Sequence, residues 1–286
     1  MRAKIMLVAA AVLMLTWPAA AAVTATCAAP ASLTRLDAPL PHVAARLASG
    51  QPVTVVAIGS SSTAGAGASS PSRSYPSRLM IALAARFPEA KIRVLNRGVN
   101  GEIERQMEAR FDHDVLLQHP DLVIWQVGTN SVLRDNDITL YRPALEHGIE
   151  KLKAAGADVV IMDLQYAPKV LLHQGYEDML RKISTAARNE DVAIFHRFAI
   201  MQYWVSSGEY DAASMLSPDQ LHMNDLSYNC IADLMADAIT DAVQSPPAAG
   251  TLASAPAGGA LEAAGKKHAI GVIAVKTAGE AVPARK

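Results

Sequence analysis

The chain has 286 residues, 51% of them hydrophobic and 19% charged, with 26 basic side chains against 27 acidic ones. High hydrophobicity together with a formal net charge of −1 excludes an intrinsically disordered protein. The balanced charge also lacks the excess of Lys and Arg that nucleic acid binding requires, so we expect no nucleic acid partner.

The first 22 residues have the pattern of a secretory signal peptide. Arg2 and Lys4 precede an apolar run over residues 5–17, and a stretch of alanines suited to signal peptidase follows it. Because this run is shorter than the roughly 20 residues that span a bilayer, we predict an exported protein, periplasmic or secreted, with no stable membrane span after cleavage. A lipoprotein is the alternative, since Cys27 follows closely, although the residues before it are a poor approach to a lipidated cysteine.

The other end of the chain, residues 245–286, is rich in Ala, Gly and Pro and lacks a sustained period, which predicts a flexible tail. Residues 28–244 remain, enough for a single domain with a well-formed core. The two cysteines, Cys27 and Cys230, are too few for a disulfide framework. In an exported protein they can form one bridge; two unpaired cysteines, with Cys230 buried on its helix, are the alternative.

Five short apolar runs rich in β-branched residues predict buried parallel strands. Between them, apolar residues recur every three or four positions, which predicts helices with one buried face, and a last helix is predicted over residues 227–243. The alternation predicts an α/β fold: a single doubly wound, five-stranded parallel sheet with helices on both faces. The predicted strands are 53–59, 92–96, 122–127, 159–164 and 192–195; the helical patterns are Leu79, Leu83 and Phe87, then Ile103, Met107 and Phe111, then Leu145, Ile149 and Leu152, and finally Met179, Ile183 and Ala187.

Polar segments follow the strands, at the edge of the sheet where ligands bind in such folds. Ser61 follows the first strand, Gly101 the second and Asn130 the third, while Asp219 and His222 precede the last helix. A hydroxyl, a backbone N–H, a side-chain amide, a carboxylate and an imidazole are the groups that acyl transfer needs.

Four segments in this order resemble the conserved blocks of the SGNH (GDSL-type) hydrolases, namely GSSS at 59–62, NRGVNGE at 96–102, GTNS at 128–131 and DQLH at 219–222. The resemblance covers the chain from Val53 to about Val243 and implies the flavodoxin-like fold of that family. It also implies Ser61 as the nucleophile, His222 as its base with Asp219 as the third triad member, and Gly101 and Asn130 as oxyanion donors.

The sequence departs from the family pattern at three positions. Ser60 stands where the family usually has aspartate, Ser131 where aspartate is common, and Met223 where proline often follows the histidine. Since none of these changes removes a catalytic group, they bear on the substrate more than on the reaction.

Physical arguments for these roles stand beside structural alternatives. His222 is the only histidine with a carboxylate three residues before it in a polar loop, although Asp219 and His222 could instead cap the following helix. Asn130 either donates to an oxyanion or closes an Asx-turn at the strand end. Gly101 either presents its N–H to substrate or starts a helix, and Gly98 is the second candidate for that donor.

Other site types find less support. The glycines at 59, 65 and 67 lack the spacing of a dinucleotide-binding loop, and no Gly-Lys-Ser/Thr segment occurs. The acidic and histidine residues at 112–114 favour a solvated helix face over a metal site. We therefore expect neither cofactor nor metal. Tyr166 and Trp204 could stack on a sugar or line an acyl slot, but core packing is the commoner role of such rings.

Taken together, these features predict an exported serine esterase that cleaves small acyl esters through an acyl-enzyme. The expected partner is a small-molecule or glycan acyl ester: an acetyl ester on carbohydrate or, as the resemblance implies, a lysophospholipid-type ester. Two alternatives are an O-acyltransferase that acts on a polysaccharide with the same triad, and a non-catalytic binding protein on the same fold.

Overall fold

The computed structural model describes residues 27–244. The predicted signal peptide and the predicted tail lie outside the described residues. Within them, five parallel strands form one sheet in the order β2-β1-β3-β4-β5, which is the flavodoxin-like order. The strands are β1 (Val53–Gly59), β2 (Ile92–Gly98), β3 (Leu122–Gln126), β4 (Asp158–Met162) and β5 (Ala193–Phe195).

Thirteen α-helices of the described part connect and flank these strands. Helices α2, α4 and α13 pack together on one face of the sheet, and α5, α8 and α10 pack on the other. The single doubly wound sheet with helices on both faces is therefore confirmed. The helices are α1 (Ala31–Thr34), α2 (Pro41–Ala48), α3 (Ser61–Ala64), α4 (Tyr75–Arg86), α5 (Glu104–Glu108), α6 (Phe111–Asp114), α7 (Thr129–Leu133), α8 (Tyr141–Ala154), α9 (Pro168–Leu171), α10 (Tyr176–Asn189), α11 (Arg197–Ser206), α12 (Ala212–Met215) and α13 (Asp225–Gln244), with short 3₁₀ turns at Pro71–Arg73 and Leu116–Gln118.

Burial explains why the strands could be identified from their composition. Every residue of β1, β3, β4 and β5 is buried, as expected for parallel strands that are covered on both faces, whereas the edge strand β2 is mostly half-buried. On α10, the buried residues Met179, Ile183, Ala186 and Ala187 form the single apolar face that the spacing predicts.

One predicted helix is in fact two. The apolar spacing of residues 103–111 predicts a continuous helix, but α5 ends at Glu108 and α6 begins at Phe111. At the break, the Arg110 side chain donates to the Arg97 carbonyl at 2.7 Å and to Glu102 at 2.8 Å, which ties this segment to β2 and to the residues after it. The Trp125 indole N–H donates to the Met107 sulfur at 3.3 Å, so Met107 still faces the core, and the apolar spacing gives no sign of the break.

Sequence analysis did not predict helix α11, because its apolar residues do not alternate with a distinct polar face. Phe198, Ile200, Met201 and Trp204 are all buried. The Trp204 ring is fully buried, and its indole N–H donates to the Ala28 carbonyl at 2.8 Å. Trp204 therefore packs in the core and does not line a substrate slot.

No helix within residues 27–244 has both the length and the apolar character needed to cross a membrane.

Cys27 and Cys230 form a disulfide with a Cα–Cα distance of 5.1 Å, which joins the start of the described chain to α13 across 203 residues. Of the two alternatives left open by the sequence, the bridge is therefore the one observed.

Replacing both cysteines by alanine is expected to lower the free energy of unfolding by about 3–5 kcal/mol, because closing so long a loop removes much of the conformational entropy of the unfolded chain. Urea denaturation of the oxidised protein and of the Cys27→Ala/Cys230→Ala variant measures the difference. Adding reductant to the unaltered protein should reproduce the loss, and a variant as stable as the oxidised protein would contradict the expectation.

Candidate active site

The strand order defines where a ligand crevice can form. The chain passes from β1 to β2 on one side, whereas β3 lies on the other side of β1, so the connections diverge beyond the carboxyl ends of β1 and β3. Ser61 begins α3 directly after β1, and Asn130 lies in α7, which follows β3. Both residues therefore flank this crevice.

Three of the predicted site residues form a continuous hydrogen-bonded relay. The His222 Nε2 atom lies 2.8 Å from Ser61 Oγ, and the His222 Nδ1 atom lies 2.5 Å from Asp219 Oδ2. The His222 side chain is 17% exposed, so its ring is largely sheltered while the Asp219 side chain, at 41%, borders solvent. A hydroxyl bonded to an imidazole, which in turn is oriented by a carboxylate, is the arrangement of an activated nucleophile.

A tight loop brings Asp219 and His222 together. Leu216 and Met223 form an antiparallel bridge, and the Ser217 N–H donates to the His222 carbonyl at 2.8 Å. The turn closes at Gln220, whose φ of +58° is in the left-handed region.

Asp219 and His222 do not cap α13, so the structural alternative considered for them in the sequence does not apply. The helix start is capped by Asn224, whose Oδ1 atom accepts from the N–H groups of Leu226 and Ser227 at 3.0 and 3.2 Å. The Asp219 carboxylate is thus free to orient the imidazole.

Asp219 is held in its ionised form. Partial burial raises the pKa of this carboxyl, but donors from the His222 ring, the Ser217 hydroxyl and the backbone N–H groups of His222 and Leu221 outweigh burial and place the pKa well below its usual range. The carboxylate is therefore negative at neutral pH, and this negative charge can stabilise an imidazolium that forms on His222 during a reaction.

Asn130 reaches across the crevice. Its side-chain N–H donates to the Glu102 carbonyl at 2.8 Å, which links α7 to the segment after β2. Within residues 27–244 no backbone N–H donates to the Asn130 Oδ1 atom, as an Asx-turn would require. A primary amide has two N–H donors, and only the one that binds the Glu102 carbonyl has an acceptor within residues 27–244. The second donor is available to a ligand.

Of the two glycines considered as backbone donors, Gly101 is the better placed. Its N–H has no acceptor in the described part of the chain, and its φ of +82° is a conformation that favours glycine. The Gly98 N–H, in contrast, is taken by the Asn96 side chain at 2.9 Å. A side chain at Gly98 would fall 2.1 Å from the Ala64 nitrogen, so this glycine allows α3 to pack on the end of β2.

The segment that carries Gly101 is held by two side chains one helical turn apart on and just after α7. Asn130 binds the Glu102 carbonyl, and Arg134 Nη2 donates to the Gly101 carbonyl at 2.5 Å. These two contacts fix successive peptide groups and leave the Gly101 N–H unoccupied. Sequence analysis had not predicted this contact between Arg134 and Gly101.

Gln126 is a second residue that was missed. It lies at the end of β3, and its Oε1 atom accepts from the Ser60 N–H at 2.9 Å and from the Ser60 hydroxyl at 3.0 Å. Because buried amides need partners, a glutamine in the otherwise apolar run LVIWQV was the available signal. Gln126 fixes the turn immediately before the Ser61 hydroxyl.

Arg197 also supports the turn after β1, through the residue that follows Ser61. It is fully buried, donates to the Ser62 hydroxyl at 3.0 Å and makes two bonds to the Asp163 carbonyl. Burial lowers the pKa of Arg197 to about 10, although the nearby Asp163 charge acts in the opposite direction. No local pattern marks this residue, because its partners lie 34 and 135 residues away in the chain.

The acidic residues that were considered as metal ligands form ion pairs with basic side chains. Asp114 pairs with Arg110 at 2.7 Å and Asp112 with Lys151 at 2.8 Å. Tyr166 packs edge-on against Phe198 with ring centroids 5.3 Å apart. Across the described residues, no group of three or more His, Cys, Asp or Glu side chains is arranged to hold a metal ion.

Comparisons with known proteins find esterases among the proteins that this chain resembles. An acetylxylan esterase from Geobacillus stearothermophilus is 43% identical over 56 residues, which are 20% of this chain and 26% of that protein. Among solved structures, a two-domain esterase active on acetylated mannans superposes with a TM-score of 0.61 at 19% identity, covering 74% of this chain and 56% of the other. An acetyl xylan esterase superposes with a TM-score of 0.56 at 19% identity, covering 65% of this chain and all of that one.

These matches differ in reach. The chain spans about a quarter of the length of the sequence relative and just over half of the two-domain esterase. At 19% identity, each of these solved structures establishes only that it shares its fold with this chain. The model of one family, described as the Non-GDSL lipase-like family, matches residues 26–245, which contain every residue of the crevice described above. The predicted resemblance to SGNH (GDSL-type) hydrolases is thereby confirmed, and the chain belongs to the Non-GDSL lipase-like family.

Proposed function

We propose that this protein is a serine esterase that cleaves acetyl or other small acyl esters of carbohydrates. The observation that carries the proposal is the unbroken relay from the Ser61 hydroxyl through His222 to the ionised Asp219. The names of the relatives, acetylxylan esterase and an esterase active on acetylated mannans, support the carbohydrate part of the proposal.

In the proposed reaction, Ser61 Oγ attacks the ester carbonyl carbon while His222 Nε2 takes the hydroxyl proton. Negative charge develops on the carbonyl oxygen and receives hydrogen bonds from the N–H groups of Ser61 and Gly101 and from the Asn130 amide. The tetrahedral intermediate expels the alcohol, which takes the proton from His222, and leaves an acyl group on Ser61. Water, deprotonated by His222, then releases the acid and restores the serine.

The experiment that tests the proposal measures release of p-nitrophenol from p-nitrophenyl acetate and of acetate from acetylated xylo-oligosaccharides, with Ser61→Ala as the control. Turnover that disappears in the variant supports the esterase. No turnover of either ester, with both proteins folded, would contradict it and favour a binding protein. Acetyl transfer to added oligosaccharides at the expense of acetate release would instead identify an acyltransferase.

Export to the periplasm or the cell exterior belongs to the same proposal, since acetylated polysaccharides lie outside the cytoplasm. Its support is the signal-peptide pattern of the first 22 residues. Analysis of the N-terminus of the protein recovered from outside the cytoplasm tests it, and an intact Met1 there would contradict cleavage.

Arg134→Ala is expected to lower kcat about tenfold with little change in KM, because the Gly101 peptide loses the contact that orients it and the effect is confined to the transition state. Arg134→Lys should recover part of the loss. The matched control is Arg188→Ala, which removes an exposed arginine from α10. Equal kcat values for Arg134→Ala and Arg188→Ala would contradict a positioning role for Arg134.

A further inference from the structure

A cavity of about 410 Å³ with both polar and apolar lining residues lies next to the proposed oxyanion donors, among α5, α7 and α8. Its lining includes Glu104, two residues after Glu102, and Ser131, which directly follows Asn130. We call it the Glu104 cavity. Its volume is within the roughly 300–1,000 Å³ range of small-ligand pockets.

The floor of the Glu104 cavity contains a carboxylate without a cationic partner. Glu104 is 7% exposed, and its Oε2 atom accepts from the Ser131 hydroxyl at 2.7 Å. No Lys, Arg or His of residues 27–244 forms an ion pair with it. Since a buried carboxylate needs more than one donor to offset its desolvation, an additional hydroxyl or N–H donor is expected at this position.

A second lining residue, Tyr141, points to the same requirement. Its side-chain hydroxyl is buried and has no hydrogen-bond partner among the described residues, a condition shared only with Tyr75. Burial, and after it the nearby Glu104 charge, raises the pKa of the Tyr141 hydroxyl well above its ordinary value. A neutral phenol beside a carboxylate matches a ligand that both donates and accepts hydrogen bonds.

The rest of the lining restricts the class of ligand. Glu104, Asp137 and the single cation Arg105 give the lining a net charge of −1, which disfavours the phosphate of a phospholipid. Ile138 and Leu140 add an apolar wall. Hydroxyl groups on the edges and an apolar C–H face are the features of a neutral sugar ring.

We propose that the Glu104 cavity is a subsite for a neutral sugar residue of the acetylated glycan, adjacent to the residue whose ester is cleaved. This proposal rests on the proposed function and adds to it the reason for a carbohydrate substrate. Glu104 accepts sugar hydroxyls, and the Tyr141 hydroxyl gains the partner that the protein does not supply.

The test compares two substrates in each variant. For Glu104→Gln, which keeps the side-chain shape, the ratio of kcat/KM on acetylated xylo-oligosaccharides to kcat/KM on p-nitrophenyl acetate should fall about tenfold, since a hydrogen bond to a charged group is lost. Tyr141→Phe should lower the same ratio about threefold. Tyr203→Phe is the control because it removes the hydroxyl of a half-buried tyrosine on α11, away from the cavity, and its ratio should equal that of the unaltered protein.

A binding measurement separates this proposal from the proposed function. Calorimetric titration of Ser61→Ala with deacetylated xylo- and manno-oligosaccharides should show binding that adding Glu104→Gln weakens and adding Tyr203→Phe does not. Unchanged ratios and unchanged binding in Glu104→Gln would overturn the subsite, and so would equal losses on both substrates or absence of binding. Failure of the esterase itself would appear separately, as p-nitrophenyl acetate turnover that is absent or persists in Ser61→Ala.

Discussion

His222→Ala is expected to lower kcat for p-nitrophenyl acetate by roughly 10⁵–10⁶-fold, with KM little changed. The imidazole is the only base within hydrogen-bond reach of Ser61 Oγ among the described residues, at 2.8 Å, and a serine hydroxyl that retains its proton is a poor nucleophile. The residual rate comes from the oxyanion donors and from substrate binding alone. Steady-state kinetics of His222→Ala and of the unaltered protein measure the effect.

His147→Ala provides the matched control for this prediction. His147 also pairs with a carboxylate, Glu108, at 2.7 Å, but it is 69% exposed on α8 and contacts none of the crevice residues described above. It should retain the activity of the unaltered protein. If His222→Ala kept more than about a hundredth of the original kcat, His222 would not be the base, since general-base catalysis of this kind contributes more than that.

Asn130→Ala is expected to lower kcat by about 10²–10³-fold, the loss that follows removal of one oxyanion donor. The free N–H of the Asn130 amide points to a contact made in the transition state, so KM should change little. The variant also loses the bond to the Glu102 carbonyl, and Asn130→Asp, which keeps the side-chain shape but cannot donate, should lose at least as much.

A readout specific to charge development accompanies these rates. The affinity of a trifluoromethyl ketone, which forms an oxyanion on reaction with serine, should fall in proportion to kcat/KM in the Asn130 variants. Asn189→Ala removes an amide that also donates to a protein oxygen, at 2.6 Å to Glu146, and serves as the control. A loss smaller than about tenfold in Asn130→Ala would contradict an oxyanion role.

The core of the fold was predictable because parallel strands covered on both faces read as unbroken apolar runs. The buried strands β1, β3 and β4 were located within two residues of their observed limits for this reason. The break between α5 and α6 was not predictable from the apolar spacing. The contact at the break is made by a polar side chain, Arg110, which donates to the Arg97 carbonyl on β2.

The candidate site divides in the same way. Asp219 and His222 are three residues apart, so their proximity followed from the local sequence, whereas the contact between Ser61 and His222 spans 161 residues and depended on the rule that strand ends meet at one edge. The supporting contacts of Gln126, Arg134 and Arg197 join residues that lie 33 to 135 positions apart in the chain, so no local pattern indicates them. Side-chain placement of this kind requires the three-dimensional packing of the whole domain.

The most direct test of the account is covalent labelling with a fluorophosphonate, followed by peptide mass spectrometry. The account predicts one adduct on Ser61 in the unaltered protein and its loss in His222→Ala, because only a serine whose proton is removed by His222 displaces the fluoride rapidly. An adduct on another residue, no adduct at all, or equal labelling of Ser61 in both proteins would contradict the assignment of Ser61 as a nucleophile activated by His222.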